Sequence, residues 1–397
     1  MEWVKILFFI SLLFGTVVSV TVLPGVTLYL HDFFLVLLLA SSVLTKTKQK
    51  LQAKLMPFIT LFGIVSLLSL LINSNRISLP ELGISSLYLI RWLMYAGIYI
   101  IVLRKQINAT SWLVGLFGVG VGYALIGIIQ FFLYPDLRNL MYLGWDPHYY
   151  RLFSTILDPN FAGIIFVFTV LLGFYFYVQR KHRLLLSAML IPIIALVLTF
   201  SRSSYLAFAF GLGVFVVLQR QWKYAFTVCA LFACIYLFFP NPGQAVTPFF
   251  RTATGIARIE NWKESLILIK RSPIFGYGFN TLRYVLDKSP ADSFVSHAGA
   301  GFDNSFLFLL ATTGVIGFSA YLWLLVSIVR LTFIITALSN DSRVFTHTVL
   351  ATLVSVFIHS QFVNSLFFPQ VMIWIWILVG VMEVKLREES LKTRRSS

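Results

Sequence analysis

The chain has 397 residues, 58% of them hydrophobic and only 12% charged, with a formal net charge of +16. So low a charged fraction excludes an ordinary soluble domain, where about a quarter of residues carry charge, and marks an integral membrane protein. The positive excess lies largely in short connections between apolar runs, where it sets topology, so it gives no reason to expect nucleic acid as a partner.

In chain order, Met1 to Leu23 has a charged start and an apolar stretch but no small-residue cleavage site. More apolar runs follow at once, so it reads as a first span and not a signal peptide. Spans are expected at about 4–23, 26–45, 55–73, 82–103, 109–134, 161–179, 184–200, 203–218, 224–240, 304–329, 345–364 and 368–384, about twelve in all. No period-2 pattern suggests a barrel, so the fold class is all-α, a polytopic membrane protein. Cys229 and Cys234 share one apolar run and read as packing or lipid-facing residues. Gly118 and Gly122 in the fifth span suit close helix packing.

Basic residues occupy every second connection: Lys46, Lys48, Lys50 and Lys54; Arg104 and Lys105; Arg180, Lys181 and Arg183; Arg220 and Lys223; Arg330 and Arg343; and the tail from Lys385 to Arg395. The alternation predicts an even number of spans with both termini cytoplasmic. The opposite face then holds the 135–160 loop with Arg138 and Arg151, the tight turn at Ser201-Arg202, and a long segment from Asn241 to Phe302 with Arg251, Arg258, Arg271 and Arg283. Arginines on that side suggest an anionic partner there. Within the long segment, Ile259, Trp262, Leu266 and Ile269 recur at helical spacing and predict an amphipathic helix along the membrane surface. Pro273 ends it, and Gly276 and Gly278 permit a tight turn. The chain divides into N-terminal helices (1–134), central helices with outer turns (135–240), an extracytoplasmic loop (241–303), C-terminal helices (304–384) and a basic tail (385–397).

Arg202 stands at the junction of two apolar runs that must form a hairpin with almost no loop. There it can meet a phosphate bidentately, or snorkel at a helix end. Arg91, inside the fourth span, needs a partner or a cavity; His359, Gln361 and Asn364 mark either a site or an interhelical hydrogen-bond network. Asp158-Pro159-Asn160 fits a helix start. His297 and Asp303, just before the tenth span, are the candidate acid-base groups, although Asp303 also suits a helix cap. No Walker loop, paired cysteines or spaced metal ligands are present, so neither a metal nor another cofactor is expected.

The ordered set Arg151 to Asp158-Pro159-Asn160, Thr199-Phe200-Ser201-Arg202-Ser203, Arg258-x-x-x-Trp262, Ser272-Pro273-Ile274-Phe275-Gly276-Tyr277-Gly278, Asp303-Asn304-Ser305-Phe306-Leu307 and Gly314-Val315-Ile316-Gly317 resembles the bacterial O-antigen ligase and polymerase superfamily. The resemblance runs from about residue 145 to the end. It implies a GT-C-like glycosyltransferase in the bacterial cytoplasmic (inner) membrane, working without a metal on the outer, periplasmic face. Such enzymes pass a glycan from an undecaprenyl diphosphate-linked donor to a hydroxyl of another lipid-linked glycan (polymerases) or of a lipid A core (ligases). By the same resemblance Arg202 and Arg258 clamp the diphosphate, and Arg151, Asn304, Trp262 and Arg91 are further expected contacts to diphosphate or glycan. Ligases commonly carry histidine where this chain has Asp303, which leans the reading toward polymerase and leaves Asp303 or His297 as base. Membrane lipid and a chain-length regulator are the other expected partners. A polysaccharide or lipid transporter, which would show internal repeats and broken helices, and a nonenzymatic assembly partner are the alternatives from other classes.

Overall fold

Each of the twelve apolar runs in the sequence contains a helix, although the first two are helical only in part. A computed structural model describes residues 2–44, 53–104, 108–143, 145–238, 252–285, 301–338 and 340–396. In order, the helices are α1 (Glu2–Leu12), α2 (Leu30–Leu44), α3 (Met56–Ile72), α4 (Leu79–Leu103), α5 (Ala109–Leu133), α6 (Pro159–Arg180), α7 (Arg183–Leu198), α8 (Arg202–Gln219), α9 (Trp222–Phe238), α10 (Thr252–Arg271), the single turn α11 (Leu282–Val285), α12 (Ser305–Leu338), α13 (Asn340–His359) and α14 (Pro369–Ser396). Among the described residues, 7 are long and apolar enough to cross a membrane: α4, α5, α6, α8, α12, α13 and α14, with α2, α3 and α7 apolar but shorter. The protein is thus an all-α polytopic membrane protein.

The first expected span is shorter than the sequence suggests. α1 stops at Leu12, and the chain turns into an antiparallel hairpin of β1 (Ser19–Leu23) and β2 (Val26–Tyr29). The cause is local: Val17 to Val22 is dense in β-branched residues, which lose rotamer freedom in a helix and fit a strand, and Pro24-Gly25 makes the turn. Thr16 anchors the start of this segment, its amide donating to the Thr155 carbonyl at 2.9 Å and its hydroxyl to that of Ile156 at 2.9 Å.

α6 and α14 form the centre of the bundle and are almost wholly buried, with α4, α5, α7, α8 and α13 packed around them. Phe168 of α6 meets Trp374 of α14 at 5.8 Å between ring centroids. Gly163 lets α6 approach α8, since a β-carbon there would lie 2.3 Å from the Ser204 hydroxyl.

α12 is broken at Gly314, whose φ of 64° and ψ of −170° leave the helical region. The Ser272 to Gly278 segment fills the break. The amides of Tyr277 and Gly278 donate to the carbonyls of Ala311 (3.0 Å) and Thr312 (2.8 Å), while the Val315 amide donates to the Pro273 carbonyl at 2.8 Å. Backbone groups freed by the break are satisfied by this inserted turn, as a low-dielectric setting demands. α3 supports the insertion from behind: the Ser69 hydroxyl donates to the carbonyls of Phe275 (2.7 Å) and Thr312 (2.9 Å), and the Asn73 amide donates to that of Gly276 (3.1 Å).

The amphipathic stripe expected on α10 divides. Trp262 and Ile269 turn partly inward and Ser265 and Leu268 are buried, whereas Ile259 and Leu266 face outward. The helix packs on α12 through a small apolar cluster of Leu268, Leu282, Phe302 and Phe308, and this partner selects the buried face.

Candidate functional site

The N-termini of α6, α8, α12 and α14 and the C-terminus of α13 meet at one end of the bundle. They surround, with the 145–160 loop, the β-hairpin, α10 and the 279–283 segment, a cavity of about 1160 Å³. Pockets for drug-sized ligands measure about 300–1,000 Å³, so there is room for a glycan with its anchor group. Tyr88, Arg91 and Trp92 of α4 also line it, Arg91 lying twelve residues, or roughly 18 Å at 1.5 Å per residue, from the start of that helix. The basic stretches at Arg104, Arg180, Arg183, Arg220 and Arg343 belong to the opposite helix ends.

Arg202 opens α8 immediately after a turn that bends through Phe200 at φ 48°. Arg151 secures that turn. Buried at 7% exposure, it donates through Nε to the Thr199 carbonyl at 2.9 Å and through Nη2 to that of Phe200 at 3.4 Å, while Nη1 lies 3.4 Å from His148 Nδ1. Beneath the turn runs a hydroxyl network: Ser201 Oγ donates to Asn160 Oδ1 at 2.8 Å, and Ser204 Oγ donates to the Asn160 carbonyl at 3.1 Å and meets His359 Nε2 at 3.3 Å. His359 Nδ1 continues it to Ser365 Oγ at 2.5 Å. Asp158 caps α6, accepting from the amides of Asn160 (2.6 Å) and Phe161 (3.1 Å). Of the two roles that the sequence left open for His359, the structure supports the interhelical one.

Arg258, on α10, faces the same cavity with its guanidinium 5.9 Å from the centroid of the Phe362 ring. Burial lowers its hold on its proton, only partly offset by Asp303 and Asp158 and reinforced by Arg202, so Arg258 lies within electrostatic reach of all three. Asp303 is exposed to the cavity, its amide donating to Asn261 Oδ1 at 3.2 Å.

The structure separates the other expected residues. Asn304 is buried and lies outside the cavity wall: its Oδ1 caps α12 through the amides of Phe306 (2.8 Å) and Leu307 (3.1 Å), and its Nδ2 donates to the Gln361 carbonyl at 3.1 Å. Trp262 is also away from the wall, on α10's packed side. Arg91 lines the cavity but has its partner in Asp32, to which it is ion-paired; it also donates to the Thr27 carbonyl at 3.1 Å and sits 4.7 Å over the Tyr29 ring. His297 lies outside the described residues.

Two residues absent from the sequence reading join the wall, Asp146 and His148. Burial, then the negative charges of Asp158 and Asp303, push the Asp146 carboxyl up to about 6, against the pull of Arg151. Its accessible surface opens into the cavity, where protein still encloses it on most sides, and both facts hold together. A dense polar-aromatic run, Trp145-Asp146-Pro147-His148-Tyr149-Tyr150, was the available signal.

Ligand atoms of Asp146, His148 and Asp158 lie within 4.8 Å of one another, close enough in principle for one cation. The capping bonds use only Asp158 Oδ1, and the argument against a cation is the positive charge of Arg151 beside His148 Nδ1. Residues 187–322 match the family described as O-antigen ligase. That stretch contains Arg202, Arg258, Asp303 and the Gly314 break. A search of the curated proteins finds no match to the chain.

Proposed function

From the premise that this chain belongs to the O-antigen ligase/polymerase superfamily of glycosyltransferase-type enzymes, we propose that it transfers a glycan from undecaprenyl diphosphate to an acceptor hydroxyl, as a polymerase of lipid-linked glycan. The observation that carries this reading is the placement of Arg202 and Arg258, from separate helices, on one cavity with Asp303 and Asp146.

When the glycosidic bond to the lipid diphosphate breaks, negative charge builds on the leaving phosphate. Arg202 and Arg258 stabilise it, each well-aimed donor contributing on the order of 3 kcal/mol. The acceptor hydroxyl must approach from the other side of the sugar carbon and lose its proton there. Asp303 orients it, and Asp146, with its raised carboxyl, is matched to taking a proton near neutral pH. Arg151 holds the turn that aims Arg202. The site lies on the periplasmic side of the inner membrane in this reading, opposite the basic connections.

The broken helix, a feature of transporters, does not favour that alternative, because the chain's own backbone fills the gap at Gly314. Asp303 at the start of α12, where ligases carry histidine, favours polymerase over ligase. Incubating the purified protein with undecaprenyl diphosphate-linked oligosaccharide tests the proposal: longer lipid-linked glycan and free lipid diphosphate support it, and an unchanged donor sinks it.

A further inference from the structure

The cavity wall carries a further cationic group beside α4. Arg283 follows the turn segment inserted into α12, on the single turn α11, and is only 9% exposed. Its guanidinium stacks 5.2 Å over the Tyr88 ring, with Nη2 3.5 Å from the Tyr88 hydroxyl, a contact at the outer limit of a hydrogen bond. Its Nε is buried with no hydrogen-bond partner, as is Nδ2 of Asn280 on the same wall. Among the described residues no carboxylate pairs with it, whereas neighbouring Arg91 is matched by Asp32.

A buried guanidinium without a counter-charge is costly, and two unused donors add to the cost. Arg151, Arg202 and Arg258 line the same cavity as Asp146, Asp158 and Asp303, whereas among the described residues no carboxylate is ion-paired with Arg283.

We propose that Arg283 and Asn280 form a second oxyanion subsite, which receives a carboxylate or phosphate carried by the glycan substrate while the lipid diphosphate occupies the Arg202–Arg258 pole. The subsite deepens the transfer reading, since its anion arrives on a substrate of that reaction.

Thermal unfolding of the purified full-length protein, followed by tryptophan fluorescence in sodium phosphate, sodium glucuronate or sodium chloride of equal ionic strength, tests it without turnover. Either oxyanion should raise the midpoint by a few degrees in a saturating manner, and the Arg202→Gln/Arg258→Gln double variant should keep that response. A stronger response to glucuronate assigns an acidic sugar, and a stronger one to phosphate assigns a phosphate group. Added to that double variant, Arg283→Met should abolish the response that remains and leave the protein at least as stable in chloride; Arg283→Lys in the same background should retain a weaker response. The subsite is overturned if Arg283→Met in that background lowers the midpoint in chloride while the oxyanion response is unchanged, or if the Arg202/Arg258 variant alone loses the response. Failure of the transfer assay with the oxyanion response intact would fault the proposed reaction and not the subsite.

Discussion

A β-carbon on Gly314 would lie 2.1 Å from the carbonyl oxygen of Ile274, so the break in α12 and the turn that fills it are built around the absence of one side chain. Gly276 mirrors the arrangement, with a φ of 63° and a β-carbon position 2.4 Å from the Thr312 carbonyl carbon. The inserted turn carries Asn280 and Arg283 to the cavity wall, so a packing contact inside the bundle sets the geometry of the site.

Gly314→Ala should therefore displace the inserted turn, at a cost of about 1–3 kcal/mol from the positive φ alone. A shift of about 1 Å at the cavity can cost about 100-fold in rate. Membrane insertion should persist while transfer falls by about that factor, measured as glycan product per unit of inserted protein. Unchanged transfer would show that the inserted turn does not position the site.

Arg151→Ala leaves the carbonyls of Thr199 and Phe200 without their buried donors, a cost of about 1–3 kcal/mol. Arg151→Lys cannot reproduce the fork that reaches both. Both variants should lower the thermal midpoint and reduce transfer; a variant that loses transfer with its midpoint intact would assign Arg151 to the substrate instead of the turn.

Much of this was legible in the sequence, for physical reasons that differ by element. Long apolar runs can bury their backbone in a membrane only as helices, so a helix was located in each expected span, although among the described residues seven are long and apolar enough to cross. Arg202 stood out because no loop separates its two runs. The hairpin at 19–29 was hidden because an apolar β-branched run and a span look alike by hydropathy. The pairing of Arg91 with Asp32 joins residues 59 apart, and the insertion of residues 272–278 into α12 joins two helix-breaking motifs that sequence reads separately. Asp146 sits in a polar-aromatic run that marks it only weakly; its raised carboxyl comes from burial and then from Asp158 and Asp303, all of which only the fold supplies.

The Asp146 carboxyl, pushed from 3.8 to about 6, sets a pH dependence. If it receives the acceptor proton, transfer should fall tenfold per unit below about pH 6, and Asp146→Asn should remove that limb together with most of the activity. The folded protein also binds this proton more tightly than the unfolded chain. Its contribution to stability is therefore full below about pH 4 and is lost as pH rises to about 6. Asp146→Asn should flatten the midpoint in that window, and a parent profile with no slope there would contradict the shift.

Because Arg151 sets its positive charge beside His148 Nδ1, transfer should continue in the presence of a chelator such as EDTA. Activity abolished by EDTA and restored by magnesium or manganese would reassign Asp146, His148 and Asp158 to a cation.

The most direct measurement is a double-mutant comparison of turnover with undecaprenyl diphosphate-linked oligosaccharide. Arg202→Ala and Arg258→Ala should each reduce transfer by about 100-fold or more, and the pair should lose less than the product of the single effects, because both act on one leaving diphosphate. Independent, multiplying losses, or full activity in either single variant, would contradict a shared clamp.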